Sequence, residues 1–182
     1  PISKPNHQNV WNVRCFPFVV KEKNERKVLN WKMQVSERLQ HEFFYLDSLT
    51  PADFFPEENR FYLGIDESMP WKNEKEAVIQ IVHEWQPYLK ELTGLFKERK
   101  NKETKPLMVK GISLFIRLLF WSNNEPTDLK NLQEKLVLFE AKPVNIVERL
   151  QFLMQRPTLY HSFIQLSELM IEQEKIFYKY MV

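Results

Sequence analysis

Glycine is nearly absent from this chain, with three in 182 residues: Gly64, Gly94 and Gly111. They stand too far apart to build either of the glycine-rich loops that cradle phosphates, which removes the common nucleotide-binding fingerprints. Scarce glycine also disfavours tight-turned β structure, while leucine, glutamate and lysine, all good helix formers, are plentiful. Cysteine is rarer still. Cys15 stands alone, so no disulfide and no cysteine-rich metal site can form within the chain, and a reducing compartment fits.

The histidines lack metal-binding spacing. His41-Glu42 and His83-Glu84 each want the second histidine of a zinc-protease helix, and no Glu-x-x-His occurs to supply the di-metal motif of helical bundles. Gly111-Ile-Ser113 has no closing glycine, so it is not a nucleophile elbow. Neither a metal nor another cofactor is expected.

Long hydrophobic runs are also missing, with one informative near-exception. Between Leu107 and Trp121 only Lys110, Gly111, Ser113 and Arg117 are not large and apolar. That run falls short of the ~20 residues a membrane crossing needs, and its two cations would be costly in a bilayer. A helix apolar nearly all round is usually covered by its neighbours. The run therefore predicts a central buried helix, and no membrane span. Residues 15–20 do not read as a secretory signal, being short, broken by Pro17 and followed by no small-residue cleavage site.

What the chain does have is 43% hydrophobic and 14% aromatic residues, enough for one well-buried domain. Its charge is uneven. Of 26 basic and 24 acidic residues, seven and two lie in residues 1–32, leaving 19 and 22 beyond them, a net of −3 behind an overall +2. A body of net negative charge is a poor general binder of nucleic acid. Residues 1–32, with Pro1, Pro5 and Pro17 and no sustained period, read as an irregular extension, with a short strand or extended arm at 16–20; Met33 is a candidate alternative start of the single domain expected over 33–182.

Beyond Met33 the pattern is helical. Leu39, Phe43 and Leu46 suit a short helix or an aromatic-rich packed segment. Thr50-Pro51-Ala-Asp53 predicts a cap and one or two turns closed by Pro56, followed by an irregular stretch over 60–69 with Gly64 as a turn. Asn73 with Glu76 has the form of a capping box, opening a long helix to about Arg99 that Pro87 should kink or split. The central helix follows, then one from Pro126 with Leu129, Leu132, Leu136 and Phe139 on one face. Asn145 and Glu148 repeat the capping box before a helix bearing Ile146, Leu150, Leu153 and Met154, which stops before Pro157. The last helix, from about Thr158 to Tyr180, turns Leu159, Phe163, Leu166, Met170 and Phe177 inward. The expected fold is all-α: an irregular or orthogonal bundle of five to six helices around a central apolar helix.

Four segments carry a family likeness: Lys110-Gly-Ile-Ser-Leu-Phe, Leu119-Phe-Trp121, Lys142-Pro-Val-Asn-Ile-Val-Glu-Arg-Leu150 and Arg156-Pro-Thr-Leu-Tyr-His-Ser-Phe-Ile-Gln-Leu-Ser-Glu-Leu169. Together they resemble the YpoC family of Bacillus-type bacteria, over roughly residues 34–180. The resemblance brings no catalytic residues to carry over. It does imply a genetic neighbourhood, since the family's genes tend to stand beside those for an endonuclease III-like repair enzyme, a replication-initiation protein and a cell-wall synthase, which is association and not mechanism.

One constellation points to binding. Arg149 and Arg156 lie seven apart on one helix, and just past Pro157 come Tyr160 and His161, with Gln165, Glu168 and Glu172 continuing a polar stripe. Helix starts attract anions, and arginine forks suit phosphate or carboxylate. Lys110 is a further candidate, inside the apolar run. The bland reading is that the arginines pair with Glu148 or Glu168, that Tyr160 fills a packing gap and that Lys110 snorkels or meets a carboxylate. The basic run over 97–105 is interrupted by Glu98 and Glu103 and has no aromatic residues for stacking on bases, which favours a solvated helix end. The expectation is a cytoplasmic helical protein that binds another macromolecule, preferably a protein. The alternative is an accessory nucleic-acid or anion binder acting near DNA repair or replication, and a small-molecule enzyme comes third.

Overall fold

In a computed structural model that describes residues 34–180, helix α4 (Lys105–Trp121) is the hub, with 13 of its 17 residues buried. Residues 1–32, with the arm expected at 16–20, and Met33 lie outside the described residues. Two long helices flank α4: α3 (Glu74–Lys97) and α7 (Tyr160–Tyr180), which also touch each other. Helix α6 (Ile146–Gln155) packs on α7 and α4, and the short α5 (Leu132–Leu138) packs on α6. Ahead of these stand the one-turn α1 (Pro51–Phe54) and α2 (Pro56–Tyr62), with 3-10 turns at Glu37–Leu39, Glu42–Phe44, Pro70–Lys72 and Asn101–Thr104. The fold is all-α. Among the described residues the sole extended pairing is an isolated bridge between Leu46 and Leu49.

Gly111 explains how three helices meet. A Cβ there would lie 2.5 Å from Cζ3 of Trp85 on α3 and 3.0 Å from Cδ2 of Leu166 on α7. The missing side chain lets α3 and α7 close on α4 at one level. The residues ahead of α3 cover the C-terminal end of α4 with aromatic rings: Phe61 packs edge-on against Trp71, which tilts onto Trp121, and Phe44 meets Phe54 and Phe55.

Several local expectations need correcting. Pro56 closes α1 but also opens α2, so the stretch expected to be irregular from residue 60 starts helical. Helix α3 is not split by Pro87; the His83 carbonyl, which Pro87 cannot serve, lies on an exposed turn open to water. Neither expected capping box forms with asparagine. Asn73 and Asn145 make no side-chain cap bond, and Asn145 instead holds the left-handed conformation (φ 53°) that turns the chain into α6, a conformation asparagine tolerates better than most residues. At Thr50 the carboxylate of Asp53 does reach back, accepting from the Thr50 backbone N–H at 2.9 Å and its hydroxyl at 3.0 Å.

The helix expected from Pro126 starts only at Leu132. Its first amides are engaged elsewhere: the N–H groups of Leu129 and Lys130 both donate to the carbonyl of Arg38. Asp128, almost fully buried, accepts from Arg38, from Asn131 Nδ2 and from the Asn131 N–H. Tertiary hydrogen bonds outweigh propensity here. Leu129, Leu132, Leu136 and Phe139 nonetheless all turn inward. Helix α7 begins at Tyr160 because the Arg156 carbonyl is taken by the Leu159 N–H and the Ser162 hydroxyl. Leu159 is exposed, contrary to expectation, while Phe163, Leu166, Met170 and Phe177 are buried.

Candidate functional site

The residues singled out from sequence are dispersed in their engagements. Arg149 is tied down: its Nη1 donates to Glu172 Oε2 at 2.7 Å, a partner from α7 and not the Glu148 or Glu168 weighed above. Arg156 caps α6, is exposed, and makes no ion pair among the described residues. The His161 ring meets the edge of Phe152 on α6, with centroids 5.6 Å apart. Tyr160, though largely exposed, leans on Phe96 of α3 and on Phe163. Lys110 reaches Glu84 of α3 at 3.1 Å, so it meets a carboxylate.

Lys110 leads to a buried charge cluster. Arg117 sits two turns on, its guanidinium 4.5 Å above the Trp121 ring. Its Nη2 donates to Glu57 Oε2 at 2.8 Å, while Glu58 and Glu84 stand 3.8 and 3.9 Å away. Glu58 is fully buried; its Oε1 accepts from Trp121 Nε1 and from the Thr127 hydroxyl, both at 2.8 Å, and its Oε2 has no partner. Burial pushes the Glu58 carboxyl above the usual carboxylate range, with Arg117 opposing the rise and Glu57 adding to it. For Arg117 burial works against the charge, but Glu57, Glu58 and Glu84 together leave its pKa raised. The cluster fastens α2 and α3 to α4. Arg117 and Glu58 are buried at its centre while Glu57 and Glu84 reach its solvent edge, and its chemistry is that of a structural tie.

The open feature lies elsewhere, beside α5 and α6. Between α5, α6 and the turn at Glu42–Phe44 runs a groove of about 790 Å³. Phe43, Leu132, Leu136, Val147, Leu150 and Met154 give it an apolar floor; His41, Glu42, Gln133, Glu134, Gln151 and Gln155 form its polar margin. Past Leu136 and Val147 it continues into a smaller hollow of about 350 Å³ lined by Val137, Pro143 and Val144 with Glu140 and Glu148. Val137, Leu138 and Val144 are 64%, 76% and 74% exposed.

The groove is held in shape from beneath. Asn123 at the end of α4 and the buried Gln173 of α7 both donate to the Ala141 carbonyl at 3.0 Å, and Asn123 Oδ1 accepts the Ala141 N–H. The α5–α6 connector is thus bolted to the core. His41 Nδ1 accepts the Phe43 N–H at 3.2 Å, and burial pushes the pKa of this imidazole down, favouring its neutral form. The cations nearby are occupied: Lys130 by Glu37, Lys135 by Glu125, and Lys142 by the carbonyls of Leu136 and Val137. Glu42, Glu134, Glu140 and Glu148 make no ion pair among the described residues. With these four carboxylates set against Lys130 and Lys142, the lining of the groove and its continuation is net acidic.

Sequence reading missed both features. The cluster had a trace, since Lys110 and Arg117 lie seven apart within an apolar run and cations so placed need carboxylates from elsewhere. The groove had almost none, because exposed Val137 and Val144 look like core residues until the neighbours are known.

The comparisons bear on these helices directly. The family described as YpoC-like protein matches residues 75–182, which takes in α3 through α7. The Bacillus subtilis (strain 168) protein named "Uncharacterized protein YpoC" is 36% identical over 123 residues, 66% of this chain and 74% of that protein. No solved structure matches. The resemblance seen in the four sequence segments is thereby shown, and the chain belongs to the YpoC-like protein family.

Proposed function

We propose that the chain is a protein-binding module and that the groove between α5 and α6 is its contact surface. The observation that carries this reading is the pair Val137 and Val144, which line the hollow that continues the groove floor and, with the adjacent Leu138, are more exposed than any other large apolar residue among the described ones. Apolar surface left in water beside a polar margin marks interaction sites. We assign the protein to the cytoplasm, supported by the single Cys15 and, among the described residues, by the absence of a helix long and apolar enough to cross a membrane.

A photo-crosslinking residue placed in the full chain at Gln133 or Gln151, on the groove margin, tests this in the native host. A control at Lys90 on α3 reports random encounters. One protein captured from both margin positions and not from Lys90, and lost on Val144→Asp, is the expected result. Capture from Lys90 alone sinks the reading. So does salt-dependent retention on duplex DNA that disappears with Arg149→Glu and Arg156→Glu, which would establish the anion-binding alternative at Arg149, Arg156, Tyr160 and His161.

A further inference from the structure

We infer that the occupant of the α5–α6 groove is a short amphipathic α-helix with an apolar face and lysine or arginine along its margins; this rests on the protein-binding reading above. Two independent observations lead there.

The first is the floor. Phe43, Leu132, Leu136, Val147, Leu150 and Met154 offer no hydrogen-bonding side chain. A segment laid on them must satisfy its own backbone N–H and C=O groups, because each polar group buried unpaired is costly. An extended peptide achieves this by adding to a sheet edge, and a polyproline helix docks aromatic-lined grooves, whereas this lining has Phe43 as its one Phe, Tyr or Trp. Among the described residues the sole extended pairing is the Leu46–Leu49 bridge, which is not part of the groove. A helix satisfies its backbone internally. It also fits the walls, since α6 has ten residues and so presents about 15 Å of length, against which two or three turns of a partner helix can lie.

The second is the charge. Glu42 and Glu134 on the margin, and Glu140 and Glu148 along the continuation, are unpaired among the described residues. Against these four carboxylates the lining sets two cations, Lys130, which is paired with Glu37, and Lys142, which keeps its charge while bonding the backbone carbonyls of Leu136 and Val137, so the balance stays negative. Burial of His41 and the Phe43 N–H that its Nδ1 accepts both favour the neutral ring over the cation. An acidic margin around an apolar floor selects basic flanks and rejects acidic ones, because like charges brought together across an interface are penalised.

Three fluorescent peptides of roughly three turns test this against the full chain by anisotropy. All carry the same leucine face; the first has lysine margins, the second glutamate margins, and the third is the lysine peptide with a central proline that prevents the helix. The lysine helix is expected to bind at least about tenfold tighter than the glutamate helix, and the proline peptide to lose binding. Methyl resonances of Val147 and Met154 should shift on adding the lysine helix. Glu42→Lys with Glu134→Lys should shrink the preference, and because both side chains lie at the margin the melting temperature checks that this protein still folds.

Equal affinity for lysine and glutamate helices, or undiminished binding of the proline peptide, overturns the inference. If no peptide binds while crosslinks at Gln133 and Gln151 persist, the contact surface stands and the basic helix is wrong. If the crosslinks are also absent, both readings fail.

Discussion

Around α4 the chain buries even its charges, whereas along α5 and α6 it leaves apolar side chains in water. Both arrangements are costly, and the difference lies in where compensation comes from. Glu58 and Arg117 are answered within the chain, by Trp121, Thr127, Glu57 and Glu84. Val137, Leu138 and Val144 are answered by nothing among the described residues. A buried charge with internal partners is a structural tie, while an apolar strip with none points outward. The groove is thus the better candidate for function, although the cluster holds the more unusual residues.

The sharpest way to break this comparison is to cut the tie. Among the described residues Arg117 is the one cation paired with Glu58, and Arg117→Ala leaves that buried carboxyl with only the neutral donors Trp121 and Thr127. Breaking a buried pair from one side costs about 3–5 kcal/mol, which urea denaturation of the full chain will read. A loss under about 1 kcal/mol would mean that the cluster is not a tie and that Arg117 is held in place for some use of its charge.

A smaller effect is expected where the three long helices meet. Gly111→Ala inserts a methyl group 2.5 Å from Trp85, itself packed in the core. Overpacking of this kind costs about 1–3 kcal/mol, while alanine favours a helix interior over glycine by roughly 0.5–1 kcal/mol. A net loss with an unchanged far-ultraviolet spectrum is the expected result. Net stabilisation would show that α3 and α7 can part without penalty.

Smaller still is Glu58→Gln. The amide oxygen can go on accepting from Trp121 and Thr127, so stability at pH 7 should stay within about 1 kcal/mol of the parent. The pH dependence is more telling. Burial raises the folded-state carboxyl above its unfolded value, so between the two the native state holds a proton that the unfolded chain has released. Stability then falls as pH rises through that window. Glutamine removes the fall, and the variant should gain on the parent as pH climbs from the ordinary carboxylate range. Parallel curves would mean that Arg117 fully offsets the burial.

The two regions also differ in how well they could be read beforehand. The central helix was plain in fifteen residues because its apolar pattern depends on nothing outside itself. The inward faces of α5, α6 and α7 followed from spacing at most positions, with Leu159 the exception. Helix ends fared worse wherever a distant group competed for the backbone: Arg38 takes the amides of Leu129 and Lys130, so α5 starts late. Arg149 was singled out for its fork, but its partner Glu172 comes from another helix at a distance that no local spacing encodes. The groove is a property of three segments together, and each alone resembles core.

The least disruptive change should be the most informative about function. Leu136 and Val137 are neighbours on α5, yet Leu136 is 1% exposed and Val137 is 64% exposed. Leu136 faces the core and helps to floor the groove; Val137 faces out, into the hollow that continues it. Val137→Ala removes two methyl groups that bury little against the chain. It also replaces a β-branched residue with the best helix former. Stability should therefore be unchanged within about 0.5 kcal/mol, or rise slightly. Capture of a partner at Gln133 should nonetheless weaken, because Val137 would be covered only in the complex. A variant that folds as well or better and binds worse is not what a structural residue gives. Should Val137→Ala cost more than about 1 kcal/mol in the isolated protein, the chain itself covers this face. The contrast between an answered core and an unanswered edge would then collapse.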